Sequence, residues 1–162
     1  MFSDTNFLHM NKFLLICVLI TSTTSIFSQK LDYRDIRFSL FLLPCGTPDS
    51  FSVMKSIQNL ESFDTTQIGK HMNEYYTDLA ICYFLLSNGK ESQYYLNASN
   101  KANRSALYHK SDDSKALWNC AFGYYRLDDC DTGKNYMDLY KKHTKEKYWD
   151  KEEMTNLEKR CL

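Results

Sequence analysis

The sequence predicts an all-α protein, and three observations carry that expectation. The chain of 162 residues holds five Gly and two Pro. That is too few for the many tight turns of a β-rich fold and suits long uninterrupted helices. Residues 73–106 and 114–147 align without a gap at a constant offset of 41, the mark of a repeated unit. Residues able to stop or cap helices fall between the apolar segments: Asn88-Gly89, the stretch HKSDDS at 109–114, and Asp128-Asp129. The composition, 43% apolar, 15% aromatic and 25% charged, is that of an ordinary globular protein. Twenty basic residues balance twenty acidic ones, so a nucleic-acid partner held by phosphate neutralisation is not expected.

Phe13 to Ile20 is an unbroken apolar run, preceded by Lys12 and followed by TSTTSIFSQ. A bilayer-spanning helix needs roughly 20 apolar residues, so this run is too short to anchor the chain. A basic flank, a short apolar stretch and then small residues read as a secretory signal peptide over residues 1–28, with Met10 an alternative start. Cleavage is expected after Ser28, or after Ser25. The other reading is an apolar helix docked on the domain. The mature chain, residues 29–162, is then exported (periplasmic or secreted), with no membrane span once the signal is removed. Export allows disulfides. Cys17 leaves with the signal, while Cys45, Cys82, Cys120, Cys130 and Cys161 stay, an odd set with at least one thiol unpaired or used between chains. No CxxC or paired Cys/His spacing suggests zinc, and no metal or cofactor is expected.

Residues 29–65 are expected to form a divergent N-terminal cap. Ile36, Phe38, Leu40 and Leu42 alternate as in a strand, yet RDIRFSLFLL reads equally as a buried helix. Two repeats alone would struggle for stability, so a helical cap is the preferred reading. Asp49 or Ser50 could begin a short helix through Val53, Ile57 and Leu60. The first helix pair covers 66–108: helix A from about Thr66 to Ser87, stopped by Asn88-Gly89, then helix B from about Lys90 to Tyr108. The second pair covers 109–147. Its helix A, about 114–127, is capped by Asp112, Asp113 or Ser114; a turn at Asp128-Asp129 follows, then helix B at about 131–145. A capping helix ends the chain within 148–162, from Asp150 to Cys161. Its acidic start and its terminal Lys159 and Arg160 both suit the helix dipole.

The offset of 41 pairs Ala80 with Ala121, Tyr83 with Tyr124, Ser92 with Gly133, Leu96 with Met137 and Ser99 with Tyr140. These pairs fall at positions 8, 11, 20, 24 and 27 of each unit. In this the sequence resembles the tetratricopeptide repeat (TPR) family, whose pattern asks for small residues at 8 and 20, an aromatic at 11 and a large apolar residue at 24. The likeness covers 73–106 and 114–147. It departs at Tyr140, where a small residue is usual, and in lacking Pro at position 32. The apolar run followed by FSQ looks like that of a small exported bacterial protein of Bacteroidota type, a eukaryotic secreted protein being the alternative. The resemblance implies a short TPR-like solenoid of antiparallel helix pairs, with the divergent N-terminal cap and the C-terminal capping helix at its ends.

In this family helix A lines the concave face through positions 2, 5, 9, 12 and 13. These map to Glu74, Thr77, Ile81, Phe84 and Leu85, then to Lys115, Trp118, Phe122, Tyr125 and Arg126. Trp, Tyr and Arg are enriched at binding hot spots. A groove of Phe84, Trp118, Phe122 and Tyr125, with Arg126 at its edge, would hold a peptide or partner helix. Alternatively, a terminal helix of the chain itself folds over these residues. Members that clamp a partner's terminal carboxylate use Lys and Asn at positions 5 and 9. This chain has Thr77 and Ile81, then Trp118 and Phe122, so a chaperone-tail adaptor is disfavoured.

Catalytic motifs are not evident. His71, His109 and His143 are far apart and match no metal or nucleophile pattern. Asp128, Asp129 and Asp131 lack the spacing and closing Glu of a calcium loop and read as a capped turn. The expectation is a non-catalytic protein-binding module. The alternative is a small secreted enzyme or toxin-associated factor whose site no recognisable motif encodes. Asn97-Ala98-Ser99 and Asn103-Arg104-Ser105 are glycosylation sequons if the host modifies its exports. Helix B of the second unit runs away from Cys130 and the final helix returns antiparallel, so Cys130 and Cys161 are expected to form a disulfide. Cys82 and Cys120, inside the A helices, read as buried thiols; Cys45 is the unpaired remainder or pairs elsewhere.

Overall fold

A computed structural model describes Tyr33, Arg34, Arg37 and residues 49–89 and 91–161. All lie in one compact unit, residues 32–162. The proposed signal peptide, Cys17 and Cys45 fall outside the described residues. Every regular element among the described residues is helical: α1 (Ser50–Glu61), α2 (Met72–Leu86), α3 (Ser92–His109), α4 (Ser114–Arg126), α5 (Cys130–His143) and α6 (Lys151–Lys159). Short 3-10 turns occur at Thr65–Gln67, Gly69–His71 and Glu146–Tyr148. Tyr33, Arg34 and Arg37 are helical too, so at these three positions the N-terminal cap is helix and not strand. No helix among the described residues is long and apolar enough to cross a membrane.

Aspartates start most of these helices by accepting otherwise orphaned amide protons. Asp49 accepts from Ser52 N, Asp113 from Lys115 N and Ala116 N, Asp129 from Thr132 N and Asp150 from Glu153 N. The helix expected to start near Thr66 instead begins at Met72. Asp64 caps a 3-10 turn there through Thr66 N at 3.0 Å, and Gly69 at φ +59° takes the left-handed conformation that an α-helix cannot continue through.

Successive helices pack as neighbours from α1 to α5, and α6 lies on α4. Helices α2 and α4 run side by side in the same direction. Asn73 donates to Asp113 at 3.0 Å at their first turns, and Phe84 meets Phe122 edge-on at their last, with centroids 5.5 Å apart. The offset of 41 holds in space. Ala80 and Ala121 are fully buried, and so nearly are Leu96 and Met137. Tyr83 stacks on Tyr95 and, one unit later, Tyr124 stacks on Tyr136. The departure at Tyr140 has a physical reason. Ser99 is small and donates to Ala80 O at 2.9 Å, whereas Tyr140 packs against Trp118 and donates to Tyr148 O at 3.2 Å, filling the end of the stack.

The core has two parts. Val53, Ile57, Leu60, Tyr75 and Leu79 join α1 to α2 around Tyr33, and Leu117, Ala121, Tyr125 and Met137 receive Met154 and Leu157 from α6. Cys130 and Cys161 form a disulfide with Cα atoms 5.8 Å apart, tying the end of α6 to the head of α5. Cys82 and Cys120 are buried free thiols, and burial pushes both up to about 12.

Candidate functional site

Helices α2 and α4, parallel and adjacent, place Phe84, Trp118 and Phe122 on one shared flank. With Ile81 and Asn119 they line a depression of about 260 Å³. All three rings are half-buried, because each rests against the interior on one side and faces the depression on the other. Phe122 bridges the set, 5.5 Å from Phe84 and 6.5 Å from Trp118 between centroids. Arg126 stands at the end of α4 with its guanidinium 6.0 Å from the Phe84 centroid and 5.9 Å from that of Phe122. Its Nη1 donates to Asn88 Oδ1 at 3.3 Å, which fixes the charge at the rim of the aromatic surface.

Tyr125 does not belong to this groove. It is 2% exposed, and its ring lies over Gly133, where an added Cβ would come within 3.0 Å of it. The missing side chain on α5 lets the ring settle on that helix, and α6 closes the same cluster with Met154 and Leu157. The C-terminal helix therefore covers Tyr125 while Trp118 and Phe122 stay accessible. The remaining groove residues are Phe84, Trp118, Phe122 and Arg126.

The first turns of α2 carry a different chemistry. Asp78 is fully buried. It accepts two hydrogen bonds from the Arg37 guanidinium and one from Tyr33 Oη at 2.9 Å. Asp78 raises the Arg37 guanidinium further, while burial and then the Asp78 charge push the Tyr33 phenol far up. Arg34 donates to Glu74 and holds its carboxyl below the usual range, aided by His71 Nδ1 at 3.2 Å. Thr77, mapped to the concave face, is buried and donates to Asn73 O at 2.7 Å. Tyr33, Arg34 and Arg37 thus occupy this end of the flank. Sequence reasoning missed Asp78, although a carboxylate within the apolar run LAICYFLL and its approach was the available signal.

His71, His109 and His143 are not brought together. His71 is buried beside Glu74, His109 stacks on Tyr76 and His143 is exposed at the end of α5. Among the described residues no three His, Cys, Asp or Glu side chains are grouped to hold a metal ion. Asn103 is fully buried, so its sequon faces the interior and cannot accept a glycan, whereas Asn97 is exposed. A larger cleft of about 500 Å³, between α2, α3 and the end of α1, was not foreseen. Its signal in the sequence is a stripe along α3 at helical spacing: Tyr94, Asn97, Lys101 and Ser105.

No known protein family, curated protein or solved structure matches this chain.

Proposed function

We propose that this chain is an exported, TPR-like interaction module without catalysis of its own, which binds a peptide or partner helix in the groove of Phe84, Trp118, Phe122 and Arg126. One observation carries the reading: three aromatic rings from two parallel helices form a continuous half-exposed surface with a fixed guanidinium at its edge. Rigid aromatic area bordered by Arg is the composition that concentrates binding energy at interfaces. The favoured ligand carries an apolar side chain for the rings and a neighbouring carboxylate for Arg126. The equivalent Tyr83–Tyr95 and Tyr124–Tyr136 stacks support the repeat reading. The Cys130–Cys161 disulfide and the apolar run at 13–20 support export.

The test is capture of partners from the exported fraction by the wild-type protein and by a Trp118→Ala, Phe122→Ala variant with an unchanged circular dichroism spectrum. Binding should fall by about tenfold or more for each hot spot removed. Equal capture by a folded double variant refutes the groove.

A further inference from the structure

The cleft between α2 and α3 lies on the flank of α2 turned about 140° away from the groove at 100° per residue, so its reading does not depend on the groove's. Its volume, about 500 Å³, is in the range of small-molecule sites. The floor is Leu79 of α2 together with Ala98 and Ala102 of α3, and the two short alanine side chains leave the space open. Three tyrosine rings line it, and each is held by a neighbour. Tyr83 stacks on Tyr95, Tyr76 stacks on His109 at 5.7 Å, and Tyr94 meets Tyr95 edge-on at 5.2 Å while remaining 65% exposed.

The rim decides the ligand class. It carries one cation, Lys101, and one anion, Glu61, the latter accepting from Tyr83 Oη. Opposite charges facing one cleft favour neither an anionic nor a cationic ligand. Asn97 uses one of its two amide protons on Gln93 O, and Ser105 uses its hydroxyl proton on Lys101 O. Both therefore offer acceptor oxygens, while the Lys101 ammonium offers donors. A purely apolar ligand would cover these groups and leave them unpaired, which costs affinity. The complement is a molecule with hydroxyl groups that both donate and accept, flat C–H faces for the tyrosines, and no net charge. The α3 stripe from Tyr94 to Ser105 runs about 16 Å, longer than one sugar ring. We propose that this cleft binds a short neutral oligosaccharide seated on Tyr76, Tyr83 and Tyr94.

The test is an NMR titration of the disulfide-intact chain with cellotetraose, maltotetraose, xylotetraose and the tetramer of N-acetylglucosamine, each to about 20 mM. At least one is expected to shift amides of residues 76–83 and 94–105. Tyr94→Ala, at an exposed position that leaves the core intact, should weaken binding about tenfold. Lys101→Ala should weaken it less, Trp118→Ala should not change it, and raising the salt concentration should have little effect because the ligand is neutral. The proposal is overturned if none of the four shifts the cleft amides, or if shifts appear around Phe84 and Trp118 instead. It is also overturned if Tyr94→Ala binds as wild type, or if benzoate binds the cleft in a salt-sensitive way while the sugars do not.

Discussion

Replacing Cys130 and Cys161 together by Ser tests how α6 is held. The disulfide closes a loop with a sequence separation of 31. In the chain-entropy model that constraint contributes about 3.7 kcal/mol at 25 °C. What remains on α6 is thin. Met154 and Leu157 are its buried apolar residues, contributing about 1.5–3 kcal/mol each. The Lys141–Glu158 pair at 3.1 Å is between partly exposed groups and adds well under about 1 kcal/mol. Against this stands the ordering of a nine-residue helix, at about 1–2 kcal/mol per residue before its backbone hydrogen bonds are counted. These side-chain contacts do not by themselves offset that ordering, so the covalent tie carries a large share of what holds α6. The variant should therefore lose about 3–4 kcal/mol in denaturant unfolding, and its thermal midpoint should fall by roughly 10–15 °C. Hydrogen exchange should show amides 151–159 losing protection while α2 keeps its own. A variant within about 1 kcal/mol of wild type, with α6 still protected, would refute the reasoning and show that packing alone holds the helix.

Three further outcomes follow from the interior. Cys82 and Cys120, raised to about 12 by burial, should stay protonated and escape iodoacetamide at pH 8, becoming labelled only in denaturant; peptide mapping that finds native labelling at either position contradicts their placement. Asp78→Asn should leave the Arg37 guanidinium with an uncompensated charge beside a buried amide and cost about 2–4 kcal/mol, since Arg37 is itself partly exposed; an unchanged urea midpoint would count against the ion pair. Gly123→Ala would bring a methyl within 2.1 Å of Asn100 Oδ1, on a side chain that is buried. A loss of about 1–3 kcal/mol is expected, and a neutral result would mean that α3 and α4 separate without cost.

The sequence by itself determined what depends on residues close together or on helix arithmetic. Asp113 and Asp150 cap helices two or three residues onward, an interaction complete within one turn, so local spacing sufficed. The Cys130–Cys161 bond was legible because the chain turns back after α5, and a final helix that returns brings its end toward the turn where α5 began. The buried Ala80 and Ala121 were legible because the same packing requirement occurs twice at one offset. Tertiary structure alone decided which neighbour each helix face met. Asp78 owes its place to Arg37 and Tyr33, more than forty positions earlier, and no periodicity links them. Asn103 sits in an acceptable sequon, yet its side of α3 faces the interior. Trp118 and Tyr125 lie two turns apart on the same side of α4, so spacing gave them one role. Trp118 borders the open depression, but Tyr125 sinks onto Gly133 beneath α6. The helix period says which residues share a face; a glycine on the opposing helix and a tethered cap decide which of them remains exposed.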